Sequence, residues 1–238
     1  AKSLAAGKHV FLEKPLALTL EELNLVKAAH AKSKKLLMVG FNRRFAPQVR
    51  IMKELLDNVS EPKSFLMVMN AGTLPKNHWH HDPSVGGGRI IGEACHYIDL
   101  MRFFSGHPII SVNAQSIGNS QSFTSSEENA AITLGFEDGS FGTIHYLAHG
   151  GRSFPKERIE IFTAGRTLQL DNFRKLRGYN WPGFQKNNLW VQDKGQKACV
   201  KAFVEAILNG GDAPIPTEEL FEVAKVTIDV DEMLRLQK

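Results

Sequence analysis

The pattern of apolar residues changes near residue 42, and this change limits the folds open to the chain. Before it come a short helix end, an apolar run at His9–Pro15, an amphipathic segment at Leu20–Ser33 and a second apolar run at Leu36–Asn42. Thr19 is a plausible N-cap for the amphipathic helix. Helix, strand, helix and strand with short connections are typical of parallel α/β units. Two such units do not close a doubly wound sheet, so we expect the rest of that sheet to be missing.

Beyond residue 42, predicted strands follow one another directly. A helix to about Asn58 comes first, and Glu137-Asp138-Gly139 predicts a hairpin turn further on. The strands are predicted at Lys63–Asn70, Ile109–Ser116, Asn129–Phe136, Ser140–Tyr146, Arg158–Thr163 and Thr167–Asp171. Phe173–Asp193 is predicted to be irregular, and Gln196–Leu208 and Thr217–Leu236 to be helices. The fold class is therefore α/β (α+β), with the remnant of a parallel sheet followed by an open, mostly antiparallel sheet backed by helices.

One predicted helix, from about Arg89 to Phe104, carries polar residues that require an explanation. It follows a triple glycine, and its apolar residues recur at helical spacing, so most of it should be buried. Arg89, Glu93, His96 and Asp99 stand three or four positions apart and share one stripe. They form either a salt-bridge ladder, pairing Arg89 with Glu93 and His96 with Asp99, or the wall of an active site in which His96 is a general base.

Composition excludes several classes of function. The chain has 238 residues with a net charge of +4, and its only basic cluster, Lys32–Lys35, is interpreted as a solvated helix end, so we expect no nucleic-acid partner. No apolar run reaches the length of a membrane span, so no membrane partner is expected. Cys95 and Cys199 predict neither a disulfide framework nor a metal site and favour a reducing, cytoplasmic setting.

Three motifs in order resemble the Gfo/Idh/MocA family of NAD(P)-dependent oxidoreductases, over nearly the whole chain. Gly7–Pro15 is similar to the family's A-G-K-H-V-x-x-E-K-P signature, and Gly40–Pro47 to its strand-to-domain junction. Trp79–Asp99 resembles the family's W-x-x-D-P…G-G-G…H-x-x-D block. The resemblance implies that residues 1–41 are the last two strand-helix units of a Rossmann domain for NAD or NADP. Residues 42–238 would form the C-terminal domain for substrate binding and homo-oligomerisation through its sheet.

The beginning of the chain indicates a fragment. Its first residue is Ala1 rather than methionine, in what is interpreted as the last turns of a helix closed by Gly7. No G-x-G-x-x-G motif follows a strand, so the segment that holds a dinucleotide pyrophosphate at a helix N-terminus is absent from the sequence. We therefore expect the chain by itself to bind a dinucleotide poorly and to be inactive.

Carried over residue by residue, the resemblance makes Lys14 and His96 the catalytic pair. Hydride removal from a carbinol carbon requires the hydroxyl proton to leave, so His96 accepts that proton while Lys14 orients the hydroxyl and stabilises negative charge on its oxygen. Arg43 and Arg44 lie in the junction motif; one of them is expected to clamp a carboxylate or phosphate and the other to form an interdomain salt bridge. The residues expected to bind the cofactor are Glu13, Lys14, Pro15, Asn42 and Arg44. Those expected to bind a sugar-like substrate are Glu93, Arg43, Trp79, Asp82 and Asp99.

Two features leave an alternative open. Many relatives carry an aspartate where this chain has Gly92, with Glu93 one place later, so Glu93 either turns to the substrate or pairs with Arg89. The substitution also suits a noncatalytic dimerisation or ligand-binding domain that has kept the fold. The histidines of His78–Asp82 do not have the spacing of a helical H-x-x-x-H site, so we predict no metal.

Overall fold

The computed structural model describes residues 1–73, 88–117, 129–151 and 153–237. Six α-helices occur in this part of the chain: α1 Lys2–Ala5, α2 Leu20–Ser33, α3 Pro47–Asp57, α4 Cys95–Ser105, α5 Gln196–Asn209 and α6 Thr217–Arg235. A 3₁₀ turn at Asn42–Phe45 precedes α3, and a π-helical turn at Ile90–Ala94 leads into α4. The strands are β1 Val10–Leu12, β2 Leu37–Val39, β3 Ser64–Asn70, β4 Ile109–Ser116, β5 Ala130–Phe136, β6 Phe141–Leu147, β7 Glu157–Thr163, β8 Arg166–Asp171, β9 Lys175–Tyr179 and β10 Lys186–Asn188.

The first 40 residues form a two-stranded parallel sheet with its crossover helix, as the sequence predicts. β1 pairs with β2 in parallel, with Val10 opposite Leu37. The crossover helix α2 begins at the predicted cap, because the Thr19 hydroxyl accepts the amide of Glu22 at 3.2 Å while the Glu22 carboxylate accepts the amide of Leu18 at 2.8 Å. This reciprocal pairing fixes the start of the helix.

The remaining strands form one sheet of eight in the order β10-β9-β8-β7-β3-β6-β5-β4. Every pairing is antiparallel except that of β3 with β6, so the predicted mostly antiparallel sheet is confirmed. The predicted hairpin at Glu137–Gly139 joins β5 to β6, and Gly139 has a φ of +83° there. Side chains alternate between a buried and a more exposed face along these strands.

One sequence prediction is wrong: Phe173–Asp193 is not irregular throughout. It contains β9 and β10, which extend the edge of the sheet beyond β8. Both strands are short and mostly polar, with Leu176 as their only fully buried side chain. Their pairing comes from neighbouring strands, since their own sequence lacks the apolar alternation that marks a half-buried strand.

The predicted helix at Arg89–Phe104 is confirmed, and it lies between the buried face of the sheet and α6. α6 packs against α4, β4 and the π-helical turn. α4 approaches the sheet closely at Gly142, where an added Cβ would lie 2.5 Å from the Cβ of Phe65 and 2.8 Å from the Sδ of Met101. The apolar core includes residues from Leu4 to Leu234, so the small and large sheets share it.

Among the described residues, none of the helices is both long enough and apolar enough to cross a bilayer.

Candidate active site

The candidate residues near the amino terminus lie where the two parallel strands end. Glu13-Lys14-Pro15 follows β1, and Asn42 with its neighbours follows β2. Because the strands are parallel, both segments lie at one edge of the small sheet, the edge at which open α/β sheets bind ligands. The backbone at Gly40 lies against the Glu13 carboxylate, so a Cβ there would be 3.1 Å from Glu13 Oε2. A side chain at position 40 would therefore displace that carboxylate.

His96 reaches the same edge from the large domain, at the start of α4. The π-helical turn immediately before it contains Gly92. Lys14 Nζ donates a hydrogen bond to the Gly92 carbonyl oxygen, so the lysine that follows β1 contacts the turn that leads to His96. Single π-helical turns inside α-helices are frequent at functional sites. Lys14 and His96 are therefore brought to the same region from sequence positions far apart.

The surroundings of His96 keep its imidazole neutral. The residue is 5% exposed, its ring packs edge-on against Phe41 with centroids 6.0 Å apart, and its buried Nδ1 has no hydrogen-bond partner among the described residues. Burial places the pKa of His96 well below its ordinary value of 6.5, and the positive charges of Arg43, Lys14 and Lys194 lower it further. A neutral imidazole at pH 7 is able to accept a proton.

A buried carboxylate that sequence reasoning missed, Glu157, lies at the centre of an ion-pair cluster beside this region. Its Oε1 accepts from Arg43 Nε at 3.2 Å, from Arg43 Nη2 at 2.8 Å and from the Tyr97 hydroxyl at 2.7 Å. Its Oε2 forms an ion pair with Lys194 Nζ. Burial tends to raise the pKa of Glu157, but Arg43 and Lys194 outweigh it and hold the pKa below its usual value.

This cluster changes the interpretation of Arg43. We predicted that one of the two junction arginines would clamp a substrate group, and Arg43 was assigned to substrate. The structure instead buries Arg43, at 7% exposure, with its Nε and Nη2 on Glu157 and its guanidinium 5.4 Å from the centre of the Tyr97 ring. Glu157 lies 114 positions from Arg43, so spacing gave no signal for the pair.

The assignments of Asp99 to substrate and of Arg44 to cofactor are also corrected. Asp99 is 1% exposed, and both of its carboxylate oxygens accept from Arg44 Nε at 2.9 Å. Arg44 further forms an ion pair with Glu219 of α6, so its donors are occupied inside the protein. One junction arginine was expected to form an interdomain salt bridge, but both partners of Arg44 lie in the segment 42–238 that also carries Arg44. The alternative pairing of His96 with Asp99 is wrong, because Arg44 occupies the carboxylate.

Glu93 pairs with Arg89, as the ladder interpretation predicts, at 3.3 Å between Oε2 and Nη2. The same oxygen accepts from the Tyr146 hydroxyl, and Lys156 Nζ lies 4.0 Å from the other oxygen. Burial acts to raise the pKa of Glu93, but Tyr146, Lys156 and Arg89 together lower it, so the side chain is anionic at neutral pH. Its side chain keeps 24% of its surface exposed, so the anchored carboxylate is still accessible.

Of the remaining predicted residues, Asn42 belongs to the described part of the chain, whereas Trp79 and Asp82 do not. Asn42 donates its side-chain amide to the Lys194 carbonyl at 2.6 Å, which ties the junction turn to the segment before α5. Trp79 and Asp82, together with the histidines at 78, 80 and 81, lie outside the described residues. Within the described residues, no three His, Cys, Asp or Glu side chains are grouped so that they could hold a metal ion.

Comparison with known proteins places this arrangement in context. Residues 49–168 match the GFO/IDH/MocA C-terminal domain, and residues 1–41 match the oxidoreductase family with an NAD-binding Rossmann fold. The chain is 30% identical over 236 residues to inositol 2-dehydrogenase of Rhizobium meliloti, covering 92% of the chain and 69% of that protein. It is 31% identical over 157 residues to D-glucoside 3-dehydrogenase of Escherichia coli, covering 63% of the chain and 44% of that protein.

Solved structures show the same fold. The NAD binding oxidoreductase from Klebsiella pneumoniae superposes with a TM-score of 0.82 at 19% identity, over 99% of this chain and 74% of that one. The match spans about half the length of two further curated relatives, 50% of one from Bacillus subtilis and 51% of one from Thermotoga maritima.

Proposed function

The chain belongs to the Gfo/Idh/MocA family, and from that premise we propose that it is the catalytic C-terminal part of an NAD(P)-dependent dehydrogenase or reductase. Its substrate is a sugar, sugar nucleotide or cyclitol, which reacts at a hydroxyl or carbonyl group. The observation that carries the proposal is the hydrogen bond from Lys14 Nζ to the Gly92 carbonyl, one turn before His96. A purely structural domain has no need for a half-buried lysine beside the turn that leads to a neutral histidine whose buried Nδ1 has no hydrogen-bond partner in the described part of the chain. Residues 1–41 are the end of the dinucleotide-binding domain, and residues 42–238 form the substrate-binding domain.

The nicotinamide end of the cofactor fits the edge formed by Glu13, Lys14, Pro15 and Asn42. When bound, NAD(P) supplies or accepts the hydride. Because Gly40 has no side chain, the Glu13 carboxylate lies against the backbone where the two strands end, and its oxygens can accept hydrogen bonds there. The pyrophosphate motif does not occur in this sequence, so these residues account for one end of the cofactor only.

Lys14 and His96 have distinct tasks in the proposed reaction. The Lys14 ammonium orients the substrate oxygen and stabilises the negative charge that develops on it, and an imidazole nitrogen of His96 accepts the hydroxyl proton. The positive charges that lower the pKa of His96 also lower the pKa of a hydroxyl held beside Lys14, so the hydroxyl becomes more acidic where the imidazole becomes less basic. In the reductive direction the same groups return the proton.

Glu93 is proposed to bind substrate hydroxyl groups. Its carboxylate is held by Tyr146 and Arg89 and remains partly exposed. An ionised carboxylate only accepts hydrogen bonds, so it suits the hydroxyls of a sugar or cyclitol and disfavours an anionic group at that point. This chemistry agrees with the names of the two relatives described above, an inositol 2-dehydrogenase and a D-glucoside 3-dehydrogenase.

The test is turnover by the full-length protein with NAD and NADP on a panel of cyclitols, glucosides and sugar nucleotides. Lys14→Met and His96→Gln should each lower kcat by about 10²–10⁴-fold while dinucleotide affinity is retained. Lys32→Met removes an exposed lysine of α2 and is the matched control, expected to leave turnover unchanged. Turnover that does not depend on Lys14 and His96 would refute their assigned roles, and dinucleotide binding without turnover of any substrate would instead favour the noncatalytic ligand-binding domain.

We also propose that the exposed face of the large sheet joins copies of the chain. Phe141 and Phe162 are both register partners of Ser64, on the strand between them, so their side chains lie on the same face of the sheet. Thr167 is the partner of Phe162 and of Tyr179, so the Tyr179 side chain on β9 lies on this face as well. The three aromatic side chains are exposed by 55%, 44% and 48%. Exposed aromatic rows of this kind mark association surfaces.

Sedimentation of the protein tests this surface. Phe162→Asp should shift an oligomer toward the monomer, whereas Trp190→Asp, at a residue that is 94% exposed and outside the strands, should not. A wild-type protein that sediments as a monomer at micromolar concentration would reject the proposal.

A further inference from the structure

The segment Asp193-Lys194-Gly195 is fitted tightly against the junction turn that carries Asn42 and Arg43. Asp193 Oδ1 accepts the Gly195 amide at 2.8 Å, and the Lys194 carbonyl accepts from the Asn42 side chain at 2.6 Å. Gly195 has a φ of +81°, and a Cβ at this position would lie 2.4 Å from the Ala46 nitrogen. The backbone on both sides of Lys194 is therefore fixed, which determines where its side chain starts.

The Lys194 side chain is anchored by contacts of its own. Its ammonium forms an ion pair with Glu157 Oε2 and lies 5.9 Å from the centre of the Phe173 ring. Glu157 cannot move toward solvent, because its side chain is 1% exposed and its other oxygen binds Arg43 and Tyr97. The Lys194 side chain is 19% exposed, so the ammonium is largely withdrawn from water.

Three elements carry the cations whose charges act on His96. Lys14 comes from the end of β1, Arg43 from the junction turn and Lys194 from the segment before α5. The carboxylates of the surrounding elements are each paired with a cation: Glu157 with Arg43 and Lys194, Glu93 with Arg89, and Asp99 with Arg44. Glu157 thus sets one negative charge against the two positive charges that it holds. Tyr97 and Cys95 flank His96 on its own helix, and burial raises the pKa of both, so that they are neutral at pH 7.

We propose that Lys194 is a positioning residue of the active site, clamped by Glu157 so that its ammonium adds, to those of Lys14 and Arg43, a third positive charge acting on His96. The inference rests on the proposed function, because it assigns Lys194 to the site of Lys14 and His96. Lys194 acts through the electrostatic field at the imidazole and at the substrate oxygen, and not by direct contact with the reacting atoms. Its charge keeps His96 unprotonated in mildly acidic solution and favours the oxyanion that precedes hydride transfer.

The direct test is an NMR titration of the His96 ring, identified by the signals that disappear in His96→Gln. Lys194→Met removes one cation, so the midpoint of the His96 titration should rise by about one pH unit, the size expected for a charge at close range in a partly screened site. Lys194→Arg keeps the charge and should restore the wild-type midpoint. Lys201→Met makes the same change of net charge on exposed α5 and should leave the midpoint unchanged.

A Lys194→Met titration that coincides with that of Lys201→Met overturns the inference. In the full-length protein, the acid limb of the kcat profile should move to higher pH in Lys194→Met, because a His96 with a higher pKa is protonated sooner, while KM changes little. Wild-type turnover with coincident titrations would reject the role of Lys194 and leave the proposed function standing. A titration shift in a protein that oxidises no tested substrate would reject the proposed function and leave the electrostatic role of Lys194 supported.

Discussion

Replacing Glu157 with glutamine is expected to destabilise the fold by about 3 kcal/mol at neutral pH, the lower end of the range for breaking a buried ion pair. Glutamine keeps the shape and one acceptor oxygen, so Arg43 and Tyr97 retain a partner. The charge is lost, however, and the guanidinium of Arg43 stays buried with 8% of its side chain exposed. The amide nitrogen of glutamine would also face the Lys194 ammonium, one donor against another.

The loss should depend on pH in a defined direction. The pKa of Glu157 is lower in the folded protein than in the unfolded chain, so the unfolded chain takes up a proton first as the pH falls. The stabilisation by Glu157 is therefore complete above the ordinary glutamate pKa of 4.5 and declines as the pH falls through the lower folded value. The difference between wild type and Glu157→Gln should shrink over this acidic window.

Urea unfolding followed by circular dichroism, carried out at several pH values, measures both the loss of stability in Glu157→Gln and its dependence on pH. A loss of about 3 kcal/mol corresponds to a drop in Tm of roughly 6–12 °C for a chain of this size. Glu205→Gln removes a carboxylate from an exposed pair with Lys201 on α5 and should cost no more than about 0.5 kcal/mol. A cost for Glu157→Gln below about 1 kcal/mol, or one that grows as the pH falls, would refute the account of the cluster.

Two further predictions concern the backbone beside Lys194 and the histidine. Gly195→Ala should destabilise the protein by more than about 2 kcal/mol, because its Cβ meets Ala46 at a positive φ, whereas Gly210→Ala, at a φ of +64° with open space around it, should cost about 1 kcal/mol. Both variants place alanine at a positive φ, but only Gly195→Ala adds a clash, so the difference between their unfolding free energies in urea gives the cost of the clash. Because the folded pKa of His96 lies below its unfolded value, wild-type stability should fall as the pH drops below 6.5, by at most about 1.4 kcal/mol per pH unit from this residue. His96→Gln should flatten that slope, and an unchanged slope would contradict a neutral buried imidazole.

The elements of this fold were largely predictable because their signals are local. The Arg89–Phe104 helix follows from apolar periodicity, the start of α2 from Thr19 and Glu22, and the β5–β6 hairpin from Glu137–Gly139. The strands β9 and β10 were missed since they form at an edge with few buried side chains. The π-helical turn has no local signal of its own, and in the structure its Gly92 carbonyl accepts a hydrogen bond from Lys14, 78 positions earlier in the chain.

Partners of charged side chains were predictable only at short range. Arg89 and Glu93 pair at the four-residue spacing of a helix. The ladder alternative paired Asp99 with His96, but Asp99 binds Arg44, which comes from the junction turn, 55 positions earlier. Glu157 and Lys194 occur in stretches without any motif, so only the folded arrangement identifies them. Sequence motifs thus indicated Lys14 and His96, and the structure added the residues that surround them.

The single parallel pairing in the large sheet has a consequence for how the chain folds. β4, β5 and β6 form one local meander, and β7, β8, β9 and β10 form another, each built from neighbours in sequence. β3 alone joins them, with Ser64 opposite Phe141 on one side and Phe162 on the other. Capturing β3 therefore closes two long loops at once, and long-range contacts of this kind slow folding. The Tyr97 hydroxyl contacts Met69 of this strand at 3.0 Å, so insertion of β3 is also the step that gives the helix carrying His96 this contact with the sheet.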